Sequence, residues 1–253
     1  GCPVTQARAF AERPRGAVAV LSEGLALFDG RRWQMMAPSA LNVYKPLQAV
    51  FIDRDGRTWL GSAASHRPGA TFADRLRRYR WGSVAHFEPS KSGTVPGRWH
   101  VYGGTDRVTS FAQGKHGLWI ASHSRVFIFD GEHALPVNCP LPYSPFRKLL
   151  ASPDSAELWV IDLKRFSRFD GKRWRSFAKR GPFRPRGAVM VKGRPVVVLA
   201  SGLLVSAGEN CVLAEAPAEA GELTAAAVHR DGRVWCVTDK GRVLSTDMKN
   251  WTV

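Results

Sequence analysis

The sequence lacks any apolar stretch long enough to cross a membrane as a helix. Its longest such run, Pro195 to Val205, is interrupted by Ser201 and Gly202 and is about half of the roughly 20 residues a spanning helix needs. Helical periodicity is also missing: 24 Gly and 16 Pro cut the chain into short pieces, and no window of about fifteen residues carries a clean helical period capped at both ends. A helical bundle and a doubly wound α/β fold are thereby excluded. Cysteine is scarce. Cys2, Cys139, Cys211 and Cys236 form no C-x-x-C pair and have no histidine at zinc-finger spacing, so no structural metal is expected. Cys211 and Cys236 fall in neighbouring segments and could pair, or stand as two buried thiols. Acid is in short supply, with 21 Asp+Glu against 37 Lys+Arg and a formal net charge of +16. What remains, 44% hydrophobic over 253 residues, suits one large globular domain or two small ones and rules out a disordered tail.

Self-similarity supplies the architecture. Three segments align without forcing: Asp55 to Ser62 (DGRTWLGS), Lys115 to Ser122 (KHGLWIAS) and Asp231 to Thr238 (DGRVWCVT). A fourth, Ser155 to Asp162 (SAELWVID), keeps the tryptophan and its apolar neighbours. About eleven residues after such a tryptophan comes Phe-Asp-Gly, as at Phe129 to Gly131 and Phe169 to Gly171, followed in the second case by Trp174. The ending recurs at Phe28 to Trp33 and more loosely at Asp247 to Trp251. Counting back from Gly30 and Gly208 puts Val18 and Val196 at the first tryptophan position. The register is then 18, 59, 119, 159, 196 and 235, with spacings of 41, 60, 40, 37 and 39: a period near 40 with one insertion, Ala63 to Gly82.

Each unit reads as four short strands, with Asp-Gly at a hairpin turn because both residues tolerate positive φ. Four-stranded units at this period predict an all-β fold, a six-bladed β-propeller with four antiparallel strands per blade, filling residues 1–253 as a single domain. The blades are expected near 4–36, 46–104, 107–137, 147–177, 186–216 and 223–253. The pattern D-x-x-G-x-x-W-h-x-[ST] followed by [FY]-D-G-x-x-W, clearest in Asp53 to Ser62, Gly24 to Trp33 and His229 to Thr238, resembles the two-component-regulator propeller repeat of bacterial sensor domains and free-standing relatives. Blades one and five depart from it by lacking the first tryptophan. The resemblance implies a binding platform and names no ligand.

Eight of nine tryptophans fall on repeat positions: Trp59, Trp119, Trp159 and Trp235 in second strands, Trp33, Trp99, Trp174 and Trp251 in closing strands. Their expected role is packing between blades. Trp81 lies in the insertion with no structural slot, which makes it the tryptophan with a candidate role in function. Asp53-Arg54-Asp55-Gly56 is half of a calcium loop without the remaining ligands and is read as a hairpin turn. His123, after a second strand, sits on a loop that could open to a ligand or simply be solvated. His66, His86, His100, His116, His133 and His229 form no cluster with ligand spacing, and no cofactor is expected.

The charge is regional. Lys164 to Arg186 carries ten basic residues against Asp170, and the insertion adds Arg67, Arg75, Arg77, Arg78 and Arg80 against Asp74. Arg outnumbers Lys by 27 to 10, which suits bidentate recognition of carboxylate, sulfate or phosphate. In a propeller, loops after second strands and loops joining blades share one face. That rule gathers Arg67, Arg77, Arg78, Tyr79, Arg80, Trp81, His123, Arg125, Lys164, Arg165, Lys179, Arg180, Arg184 and Lys240 as candidate ligand-binding residues on one rim, where a positive field would concentrate an anionic partner. A basic surface that only maintains solubility is the bland alternative.

Two functions follow. The first is a non-catalytic binding or sensor module for an anionic polymer such as a polysaccharide, an anionic membrane surface or an acidic protein partner. The second is a lyase acting on an acidic polysaccharide, with His123 or Tyr79 as base beside an arginine-neutralised carboxylate; no motif joins those residues, so no catalytic residue is assigned. Nucleic acid ranks third. The opening Gly1-Cys2 resembles the end of a bacterial lipobox, which makes Cys2 a lipidation candidate and the expected location extracytoplasmic: periplasmic, or anchored to the outer membrane as a lipoprotein. Gly1 as a leftover of expression would carry no such meaning.

Overall fold

The computed structural model describes residues 7–13, 16–21, 24–36, 47–62, 82–88, 98–105, 107–152, 154–178, 183–207, 210–229 and 231–252. Six four-stranded antiparallel sheets follow one another along the chain, each a meander in which sequence neighbours are also sheet neighbours. They are the six blades of a β-propeller. The first sheet holds β1 (Ala7–Arg13), β2 (Gly16–Leu21), β3 (Leu25–Phe28) and β4 (Trp33–Met36). The second holds β5 (Leu47–Ile52), β6 (Thr58–Ser62), β7 (Gly82–Glu88) and β8 (Arg98–Thr105), and the third β9 (Val108–Gly114), β10 (Gly117–Ser122), β11 (Val126–Phe129) and β12 (Ala134–Val137). The fourth holds β13 (Arg147–Ala151), β14 (Leu158–Asp162), β15 (Arg165–Phe169) and β16 (Trp174–Ala178). The fifth holds β17 (Gly187–Val191), β18 (Arg194–Leu199), β19 (Gly202–Ala207) and β20 (Asn210–Glu215), and the sixth β21 (Leu223–Val228), β22 (Val234–Thr238), β23 (Val243–Thr246) and β24 (Trp251–Thr252). A single 3-10 turn, Ala218–Ala220, is the only helix among the described residues. Val18, Trp59, Trp119, Trp159, Val196 and Trp235 each lie on the second strand of a sheet, as the period requires.

The turns are built by aspartate. In Phe-Asp-Gly, the aspartate Oδ1 accepts two backbone amides: Arg31 and Arg32 on Asp29, Glu132 and His133 on Asp130, Lys172 and Arg173 on Asp170, at 2.7–2.9 Å. The following glycine then takes a positive φ, +95° at Gly30 and Gly171 and +112° at Gly131, which costs a residue without Cβ nothing. Asp53-x-Asp55-Gly56 is likewise a turn: Asp53 Oδ1 accepts the amides of Asp55 and Arg57.

The chain forms two compact units, one carrying the first three sheets and one the last three. In the first, Trp59 is 1% exposed. It lies against His86 within its own sheet and meets Phe129 of the third sheet edge-on, with centroids 4.9 Å apart. Phe111, Leu118 and Ile120 complete this core. The glycine of Trp-Leu-Gly-Ser is a packing residue, since a Cβ on Gly61 would stand 2.7 Å from Val108 Cβ of the third sheet. In the second unit, Trp159 and Ile161 of the fourth sheet pack on Ala188, Val197 and Leu204 of the fifth. Val196 and Leu203 pack in turn on Leu223, Cys236 and Leu244 of the sixth.

Packing between sheets therefore holds for Trp59 and Trp159 but not for every tryptophan. Trp33 and Trp174 stack on the cross-strand Phe28 and Phe169 of their own sheets, because the Phe-Asp-Gly turn places the two rings opposite one another. Trp235 is 45% exposed, beside His229. Cys236 is a free, buried thiol, pushed up to about 11 by desolvation. The Cys211–Cys236 bridge is therefore not formed.

Candidate functional site

The end of the third sheet carries a constructed loop. Ser122 to Arg125 closes tightly: the Ser122 amide donates to the Arg125 carbonyl at 2.8 Å, and the Arg125 amide donates to Ser122 Oγ at 3.0 Å. The His123 amide donates to the Arg107 carbonyl at 3.1 Å, tying this loop to the segment joining the second and third sheets. His123 Nδ1 lies 3.0 Å from Tyr143 Oη, with the rings edge to face at 5.4 Å. Loops after second strands and loops between sheets thus meet at one end of this unit. His123 is 6% exposed, so the solvated-loop reading of this histidine is set aside. Tyr143, by contrast, is 66% exposed. Arg107, Ser124 and Arg125 are exposed beside it, and neither arginine has an ion-pair partner among the described residues. The arrangement offers a hydroxyl held by a buried imidazole, with two unpaired guanidinium groups in a short stretch of surface. This is chemistry suited to an oxyanion with hydroxyl or carboxylate groups.

Sequence reasoning missed Tyr143 and Arg107. The signal available was the Pro140-x-Pro142-Tyr143-x-Pro145 run, since prolines restrain a linker and so hold an aromatic residue in place.

In the second unit, Asp162 is buried and its Oδ1 accepts the amides of Lys164 (2.8 Å) and Arg165 (3.0 Å). Lys164 is presented to solvent and Arg165 is half-buried. Arg184 is exposed, whereas Arg186 donates to the Leu223 carbonyl and pairs with Glu222. Arg186 is thus structural. Lys240 is exposed in the turn after β22, where the Asp239 amide donates to the Glu222 carbonyl, the Glu222 amide donates to Asp239 Oδ1, and a Cβ on Gly221 would meet Asp239 Oδ1 at 2.5 Å. The basic stretch is not all at this end of its sheet. Lys172 and Arg173 sit in the opposite turn, and Arg168 and Arg175 are cross-strand neighbours between them. Arg67, Arg77, Arg78, Tyr79, Arg80 and Trp81 of the insertion, together with Lys179, Arg180 and Cys2, lie outside the described residues. Among the described residues no three metal-ligating side chains converge, and no helix is long and apolar enough to cross a membrane.

No family model and no curated protein matches the chain. Solved structures do. The extracellular domain assigned to one hybrid two-component system of B. thetaiotaomicron superposes on all of this chain with a TM-score of 0.68 at 10% identity, over 33% of its own length. That of a second system from the same organism superposes on 98% of this chain with a TM-score of 0.64 at 13% identity, over 35% of its own length. The fold these likenesses show is the β-propeller. The chain spans about a third of the length of those two domains, and identities this low speak for fold alone. An auxiliary nutrient-binding protein of Bacteroides ovatus is similar over 91% of this chain and 65% of its own, with a TM-score of 0.61 and 10% identity.

Proposed function

We propose that the chain is a non-catalytic, extracytoplasmic binding propeller that presents arginines to an anionic ligand, with an acidic polysaccharide as the favoured class. The observation that carries this reading is the loop of the third sheet. A buried His123 fixes an exposed Tyr143 next to Arg107 and Arg125, neither of which is neutralised. A tyrosine supplies a flat apolar face for a sugar ring and a hydroxyl for its substituents, and guanidinium groups supply the charge. The extracellular sensor domains and the nutrient-binding protein of the same fold support a binding role outside the cytoplasm. The insertion 63–82, with its arginines, Tyr79 and Trp81, is proposed as the element that adds specificity.

Retention on immobilised polygalacturonate or heparin, with anionic and zwitterionic vesicles alongside, tests this. Binding at low salt that collapses at high salt is expected, because screening weakens exposed charge pairs. Tyr143→Ala and Arg107→Ala/Arg125→Ala should each weaken retention about tenfold or more. Equal retention at both salt concentrations, or unchanged binding by these variants, would refute the assignment. The spacing of His123 and Tyr143 also favours a second reading, a lyase in which the phenol or imidazole removes a proton beside an arginine-bound carboxylate. A rise in ultraviolet absorbance from an unsaturated uronate, lost in Tyr143→Phe, would establish it.

A further inference from the structure

In every sheet the strand register sets one third-strand residue directly opposite one fourth-strand residue, in line with the first tryptophan position of the repeat. Five of these pairs are Leu27 with Gln34, His86 with His100, Ile128 with Leu135, Val205 with Val212 and Ser245 with Thr252. The fourth sheet has Arg168 opposite Arg175, the one pair of the six with a permanent charge on both sides. Cβ atoms so placed stand about 4.5–5.5 Å apart, and like charges there repel.

The acids nearby neutralise this pair only in part. Glu157 holds Arg168 through Nη2 alone. The other terminal nitrogen, Nη1, makes no hydrogen bond among the described residues and, unlike Nε, is not buried. The Arg168 side chain is 35% exposed, and Arg175 is exposed, so solvent reaches both. Asp170, in the turn between the two strands, is committed to the backbone: its Oδ1 accepts the amides of Lys172 at 2.9 Å and Arg173 at 2.8 Å. Those amides hold its carboxyl below the usual carboxylate range, and the charges of Arg175 and Arg168 add to the effect. Lys172 and Arg173 are themselves exposed. Four cations therefore share this end of the strands with two carboxylates, Glu157 and Asp170.

We propose that the fourth sheet binds a phosphate monoester group of a ligand between Arg168 and Arg175, with Lys172 and Arg173 at its side. The charge selects the group. A phosphate monoester carries about −1.5 to −2 at pH 7 and three acceptor oxygens, enough to neutralise two guanidinium groups and to give each a hydrogen-bonded partner. A carboxylate brings one charge and two oxygens, which a single guanidinium fork uses up, and it would leave the second arginine as it was. The fourth oxygen carries the rest of the ligand, a sugar or a lipid headgroup. None of these residues belongs to the third-sheet loop, so the site does not depend on the role proposed for that loop.

Arginine Nε–H resonances provide the readout, with Arg168 and Arg175 identified as the signals missing in Arg168→Lys and Arg175→Lys. Glucose 6-phosphate should move both signals to saturation along one binding curve, whereas acetate at the same ionic strength should saturate neither. Each lysine variant should weaken binding about tenfold, the loss of one charge-assisted hydrogen bond. The double variant should lose less than the product of the two, because both side chains hold one group. Arg175→Ser should abolish saturation while leaving the protein at least as stable, since it removes the like-charge pair; a loss of binding is thereby kept separate from a loss of fold. Affinity should also fall as pH drops through the second phosphate pKa near ~6. Vesicles containing phosphatidic acid, beside vesicles of phosphatidylcholine alone, separate the sources. A response to glucose 6-phosphate alone assigns a sugar phosphate, retention on phosphatidic acid alone assigns a lipid, and both together assign recognition to the phosphate group itself. Equal responses to acetate and glucose 6-phosphate, shifts spread over the surface arginines without saturation, affinity independent of pH, or unchanged affinity in both lysine variants would overturn the site.

Discussion

Trp59 and Trp159 occupy the same place in two sheets, each packed against the sheet that follows and each with a guanidinium about 6 Å away, yet only Trp59 has a carboxylate on its indole nitrogen. The apolar half of the repeat and its polar half are thus under separate control. The ring fills the gap between sheets and is set by the period. The residue that opens the preceding turn changes freely, from Asp53 to Ser152 to His229. Trp235 completes the series: the same register, with His229 at the acceptor position, and 45% exposed.

Truncating the ring is the hardest way to break the comparison. Trp59→Ala and Trp159→Ala should each cost about 3–5 kcal/mol, the range for emptying a buried tryptophan site, while Trp235→Ala should cost about 1 kcal/mol or less. Urea midpoints at unchanged m-value would measure this. A Trp235 variant as damaged as the other two would mean that this face is covered in solution.

Removing the acceptor comes next. Asp53 takes two backbone amides, Arg57 Nε and Trp59 Nε1, so Asp53→Ala orphans a buried indole, while the partly exposed Arg57 keeps its pairing with Asp55. The expected loss is about 1–3 kcal/mol. In the Asp53→Ala background, Trp59→Phe should add less than in the native chain, because the nitrogen it removes is already unpaired. Strict additivity would mean that the hydrogen bond contributes nothing.

Acid should narrow the difference between native and Asp53→Asn proteins, because only the native chain has the Asp53 contribution to lose. Burial pushes the Asp53 carboxyl up, but the hydrogen bonds from Trp59 and Arg57 outweigh it and hold the group below the usual carboxylate range. The turn aspartates are held down by backbone amides, Arg32 and Arg31 on Asp29, His133 and Glu132 on Asp130, Arg173 and Lys172 on Asp170, Asn250 and Lys249 on Asp247. Folded-state values are depressed in every case. Their stabilisation is therefore complete above the unfolded value near ~3.9 and lost as pH falls through the folded values. Melting temperatures should be flat above roughly pH 5 and fall below pH 4, less steeply in Asp53→Asn. A native profile that stays flat through pH 3 would contradict the assignment.

The strand plan was legible because its signals are local and repeated: a tryptophan flanked by apolar residues, Asp-Gly turns and Phe-Asp-Gly at fixed offsets. The basic run from Lys164 to Arg186 was legible as composition and not as a surface: β15 and β16 pair Arg168 with Arg175 in mid-sheet, and the turn between these strands holds Lys172 and Arg173, so a run that is continuous in sequence is divided in space. The pairing of His123 with Tyr143 could not be read at all. It joins two loops 20 residues apart, and nothing periodic connects them. Nor could the missing acceptor of Trp159 be noticed until Asp53 was seen on Trp59.

The smallest effect lies at the first turn of the fifth sheet, compared with those of the second and sixth. Asp55-Gly56 and Asp231-Gly232 leave the positive φ to glycine, at +76° and +86°. The fifth sheet instead turns through Lys192 and Gly193, at +48° and +75°, between the paired residues Val191 and Arg194. A two-residue hairpin with both φ values positive favours Asn-Gly, and lysine in the left-handed region meets the Cβ–carbonyl crowding that asparagine tolerates better. Lys192→Asn should therefore raise stability by about 0.5–1 kcal/mol, with Lys192→Ala showing no comparable gain because alanine keeps the same crowding. The lysine stem also lies over Gly232, where a Cβ would stand 3.0 Å from its Cε, so any loss on truncation falls on both variants and cancels between them. If the two variants melt together, the left-handed conformation at position 192 carries no cost that asparagine relieves.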